Sequence, residues 1–102
     1  MNKIFKYPID VKGLQEVEFP QGARILAVQV QKSTGGFMGP LENETVCLWA
    51  MSNTEESKTV RRMFRIFGTG KTIDEPLDDL DYIGTVQTRP FVWHIFERKG
   101  PK

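Results

Sequence analysis

A chain of 102 residues makes one domain, and 39% hydrophobic content with seven Phe and two Trp suffices for a single aromatic-rich core. A net charge of +1 argues against a nonspecific nucleic-acid binder, which normally carries a basic excess. The lone cysteine, Cys47, excludes a disulfide scaffold and suits a reducing compartment.

In chain order, Lys3 to Tyr7 reads as a first strand closed by Pro8. Lys3 and Lys6 interrupt this run, so neither a signal peptide nor a membrane span of ~20 apolar residues is expected. Leu14 to Phe19 alternates as a half-exposed strand, with Val17 and Phe19 facing inward. Pro20-Gln21-Gly22 has tight-turn composition. From Arg24 to Gln31 the alternation is the cleanest in the chain and places Leu26, Val28 and Val30 on one face.

Lys32 to Glu44 reads as a thirteen-residue connection holding Gly35, Gly36, Gly39 and Pro40. Connections of that length are often functional. Val46 to Met51 leaves neither face polar, as in a buried strand. Ser52 to Thr59 is a polar turn, and Val60 to Phe67 a strand with Arg62, Phe64 and Ile66 on one face and Arg61, Met63, Arg65 and Phe67 on the other. Residues 72–81 have room for one helical turn, with Asp74 as cap and Pro76 near its first position. Tyr82 to Thr88 and Phe91 to Phe96 form the last two strands, joined at Arg89 and Pro90; the second is apolar at both parities, as a central strand is. About seven short strands separated by turns predict an all-β antiparallel sandwich or small barrel spanning residues 1–102.

Catalytic chemistry is not signalled. His94 is the sole histidine, and a Cys47–His94 pair would lack any local motif, so a hydrogen-bonded structural histidine is expected. No metal site or cofactor is expected. The acids from Asp74 to Asp81 lack the register of a calcium loop, and Gly68-Thr69-Gly70-Lys71 lacks the first glycine and the following helix of a phosphate loop. Two binding patterns stand out instead. Phe37 and Met38 sit in the glycine-rich connection, where large apolar side chains favour a protein contact. Arg61, Arg62, Arg65 and Lys71 lie in an acid-free stretch beside Phe64 and Phe67, a pattern for a nucleotide or single-stranded nucleic acid. The acidic run follows at once, so the two blocks either neutralise each other or present a split surface.

Taken as a set, several stretches resemble a family of small proteins carried by bacteriophages and prophages. They are Lys6-Tyr7-Pro8, Pro20-x-Gly22-Ala23-x-Ile25-Leu26, Leu48-Trp49-Ala50, Phe64-Arg65-Ile66-x-Gly68-Thr69-Gly70, Tyr82-Ile83-Gly84-Thr85 and Phe91-Val92-Trp93-His94-Ile95-Phe96. The resemblance implies a small accessory protein acting in the bacterial cytoplasm, with no catalytic residues to carry over. With the missing catalytic set, it leads to a noncatalytic module that binds a host or phage protein, inhibition of a host protein being one form of that role. The alternative is nucleotide or nucleic-acid binding through residues 58–71. Edge-strand pairing adds a homodimer as an open option.

Overall fold

The computed structural model describes residues 1–34 and 42–99. Seven strands follow one another: β1 (Asn2–Ile9), β2 (Leu14–Pro20), β3 (Arg24–Thr34), β4 (Glu42–Asn53), β5 (Thr59–Gly68), β6 (Leu80–Thr88) and β7 (Phe91–Arg98). They form two antiparallel sheets, ordered β1-β4-β3 and β2-β5-β7-β6. The sheets stack face to face as a sandwich, not a closed barrel. No helix among the described residues is long and apolar enough to cross a membrane.

Alternation decides the inner faces. In β2, Val17 and Phe19 turn inward and Glu16 and Glu18 outward, as the sequence predicts. In β4, Val46, Leu48 and Ala50 face inward, and in β5 Phe64 and Ile66 do. Phe19, Phe64, Leu48 and Ile95 are 0% exposed, and burying side chains of this size stabilises by about 1.5–3 kcal/mol each. Tyr7 of β1 meets Phe19 of β2 with ring centroids 4.5 Å apart. At the other edge β3 lies over β6 so closely that a Cβ on Gly84 would stand 2.6 Å from Cγ1 of Val28. The result is a slab 46 × 39 × 17 Å, two sheets thick.

One inward position is ionic. Arg62 donates from Nε to Glu97 Oε2 (2.5 Å) and from Nη2 to Glu97 Oε1 (2.7 Å), while Nη1 reaches the Ala23 carbonyl at 2.7 Å. Its guanidinium carbon lies 5.1 Å from the centroid of the Phe19 ring. Three of its N–H groups are thereby satisfied at the margin of the core, which lets a charge sit beside a buried aromatic.

Four expectations are corrected. A bulge between Ile25 and Ala27 shifts the register of β3, so Ile25, Val28 and Val30 pack on the core while Leu26 is 46% exposed. The extra residue of a bulge reverses the phase of the alternation. The connection from Lys32 to Glu44 is strand at both ends, because β3 continues to Thr34 and β4 begins at Glu42. Pro8 does not close β1 but pairs with Cys47, which an edge strand tolerates. The helical turn is a 3₁₀ turn at Leu77–Asp79 with Pro76 before it and no side-chain cap; Asp74 bonds Arg65 instead.

Candidate binding surfaces

The basic stretch is resolved by partners. Arg62 is held inside by Glu97. Arg61, on the outer face, pairs with Glu16 across β2 at 3.7 Å. Arg65 pairs with Asp74 at 3.2 Å and with Glu75, and its guanidinium carbon stands 4.8 Å from the Phe67 ring centroid. Glu75 also takes Arg98 at 2.9 Å, and that hydrogen bond, with the charge of Glu75, raises the Arg98 guanidinium above its ordinary value. Asp81 lies 3.7 Å from Lys99. Among the described residues the acidic run therefore meets the basic strand only at Arg65, through Asp74 and Glu75, while Arg61 and Arg62 take their acids from β2 and β7. Of the four cations named from sequence, Lys71 is the one without an ion pair among the described residues.

The outer face of the four-stranded sheet carries aromatic and hydroxyl side chains. Phe67 and His94 are cross-strand neighbours, as are Thr85 and His94. Both imidazole nitrogens are engaged: Nε2 with Thr69 Oγ1 at 2.8 Å and Nδ1 with Thr85 Oγ1 at 3.0 Å. Thr85 in turn meets the Tyr82 hydroxyl at 2.5 Å. His94 is thus a hydrogen-bonded histidine, oriented from both sides. Thr69 reaches it because the Gly68–Lys71 turn is tight: Gly70 sits at φ +89°, and the Lys71 N–H donates to the Gly68 carbonyl at 3.1 Å. Phe96 packs edge-on to Phe67 and Tyr82, with centroids 5.8 and 5.5 Å apart. A recess of about 310 Å³ opens between this aromatic surface and the turn.

The outer face of the three-stranded sheet has a different character. Register places Ile4, Lys6 and Pro8 of β1 beside Met51, Trp49 and Cys47 of β4, and these beside Arg24, Ala27 and Gln29 of β3. Ile4 is 58% exposed. Lys6 Nζ lies 6.0 Å from the centroid of a Trp49 ring and donates to Gln31 Oε1 at 2.5 Å. The Trp49 indole N–H is buried and finds no acceptor among the described residues. No carboxylate occurs at the outward register positions of this sheet that pair β1, β4 and β3 between Asn2 and Asn53. Cys47, on this side of the sandwich, is 1% exposed; burial pushes its thiol above the ordinary value and Lys6 pulls it partly back. Cys47 and His94 stand on opposite outer faces, so the structure does not bring them together.

Phe37 and Met38 lie outside the described residues. The strands leading to them are described: Lys32, Ser33 and Thr34 pair with Glu44, Asn43 and Glu42, beyond the last β1–β4 pair at Ile9 and Val46. Ile4, Trp49 and Met51 share this face only through the β1–β4 register, and their one signal in sequence is that β4 is apolar on both faces. No group of three or more His, Cys, Asp or Glu among the described residues is arranged to hold a metal ion.

A family model described as a domain of unknown function (DUF7352) matches residues 1–102. No curated protein and no solved structure matches the chain.

Proposed function

Because the chain belongs to the DUF7352 family, whose description assigns no activity, we propose its function from its surface: a noncatalytic module that binds a protein through the outer face of the three-stranded sheet. The observation that carries the reading is an apolar face, Ile4 with Trp49 and Met51, bordered by Lys6 and Arg24 and free of carboxylates at its paired positions. Trp, Met and Arg are favoured in the cores of protein interfaces. The charge of this face calls for a partner with an apolar contact surface and an acidic rim. The bacteriophage resemblance supplies the setting, a small accessory protein in the bacterial cytoplasm whose partner is a host or phage protein. Phe37 and Met38, reached through the paired ends of β3 and β4, form a second point of contact for the same partner.

The nucleic-acid alternative is weakened by the fate of its arginines. Arg61, Arg62 and Arg65 all pair with acids of this chain, and phosphates would have to displace those carboxylates.

Affinity purification from bacterial lysate tests the reading. Ile4→Glu with Met51→Glu is expected to lose the recovered partner while keeping the wild-type melting temperature within a few degrees. The doubly substituted Phe37→Ala, Met38→Ala protein is expected to retain it more weakly. Undiminished capture by the Ile4, Met51 variant would refute the face as the docking surface.

A further inference from the structure

On the opposite side of the sandwich, the recess beside the Gly68–Lys71 turn has the composition of a small-ligand site. Its volume of about 310 Å³ lies at the lower end of the range for ligand pockets, about 300–1,000 Å³. That volume suits one ring system with a short substituent. Phe67, Phe96 and Ile73 supply apolar walls, and His94 and Thr69 supply polar atoms beside them. His94 is fixed by hydroxyls on both nitrogens, so its ring presents a rigid surface to a stacking partner at little cost in lost motion. Lys71 lines the recess, exposed and without an ion-pair partner among the described residues, while the neighbouring cation Arg65 is taken by Asp74 and Glu75. A larger hollow, about 470 Å³, beside β1 and β2 is lined by Asp10, Glu16 and Glu18 and lacks such an aromatic wall.

We infer that this recess binds a single planar aromatic ring bearing an anionic group, with the ring against Phe96 and His94 and the anion on Lys71. Nucleoside monophosphates, free or at the end of a strand, and aromatic carboxylates share this chemistry. Stacking on a π-face is tolerant of ring identity, and a compact ammonium suits a phosphate or carboxylate as a point charge.

The test is protein-observed NMR titration with adenosine 5′-monophosphate, a 5′-phosphorylated oligonucleotide, benzoate, adenosine and inorganic phosphate. The expected result is saturable shifts of Thr69, Lys71 and His94 resonances at millimolar concentration or below by at least one of the first three probes. That probe is expected to bind at least tenfold more weakly to Lys71→Glu and several-fold more weakly to Phe96→Leu. A response to the monophosphate alone assigns the free nucleotide, a tighter response to the oligonucleotide assigns a strand end, and a response to benzoate alone assigns a carboxylate. Lys71 is exposed, so its replacement leaves the fold intact, which an unchanged melting temperature verifies. No shifts with any of these probes, equal shifts with inorganic phosphate, or binding unchanged in Lys71→Glu would overturn the assignment.

Discussion

Replacing Gly84 with alanine tests how the two sheets meet. The new methyl group would sit 2.6 Å from Val28 Cγ1, with Val28 Cβ at 4.0 Å. Ordinary carbon–carbon contact lies near 3.5–4.0 Å, so the sheets or the valine must give by about 1 Å. Val28 is 8% exposed, and a β-branched side chain has few rotamers to retreat into. Overpacking of this kind costs about 1–3 kcal/mol. Relief of the strand glycine's backbone entropy returns about 0.5–1 kcal/mol, which leaves a net loss of about 0–2.5 kcal/mol. For a domain of this size that lowers Tm by at most about 20 °C. Val28→Ala alone removes two methyl groups and costs about 2 kcal/mol with its cavity term. In the double variant the alanine at 84 occupies the space the valine vacates, so the combined loss falls at least 1 kcal/mol short of the sum. Urea denaturation followed by tryptophan fluorescence measures all four corners of the cycle. Additive losses would mean that β3 and β6 do not meet at these residues, and the stacking of the sandwich would have to be redrawn.

Two further predictions follow from charge. Glu97→Gln leaves the part-buried Arg62 guanidinium with a weaker acceptor and is expected to destabilise by about 1–3 kcal/mol, while Arg62→Met with Glu97→Met together cost less than the sum of the single changes; equal losses at low and high salt fit the bidentate pair, and stability unchanged by Glu97→Gln would remove it from the core's energetics. Burial raises the Cys47 thiol above its ordinary 9.0, so the stability linked to it is fully present below pH 9.0 and is lost as the pH rises through the folded value. At pH 7.5 a thiol reagent is expected to modify the native protein at least tenfold more slowly than the urea-unfolded chain, and equal rates would show that Cys47 is open to solvent.

The strands were legible where their composition left one choice. β7, apolar at both parities, became an interior strand between β5 and β6, and the β2 alternation put Phe19 inside. In β3 the run Ile25-Leu26-Ala27-Val28 is apolar throughout, so sequence offers no sign of which residue a bulge will displace. The partners of Arg62 and Arg65 were equally hidden. Arg62 and Glu97 are 35 positions apart, and only the β5–β7 register, which sets Phe64 opposite Glu97, brings Arg62 to the diagonal position beside it; composition alone leaves open which acid each arginine meets. The His94 network had the same obstacle, since Thr69 and Thr85 reach it from a turn and a neighbouring strand. β4 shows a different limit. A strand apolar on both faces shows that each face avoids water, but not whether its own chain covers it, and here Ile4 on the Trp49 face stays 58% exposed.

The outermost rungs of the β3–β4 hairpin, from Lys32↔Glu44 to Thr34↔Glu42, bond within their sheet only to one another. Adding two residues to each arm would lengthen the hairpin by about 7 Å while preserving which side every later residue faces. Adding one to a single arm would instead impose a new kink. The hairpin can therefore change length in even steps without rebuilding the sandwich that holds it.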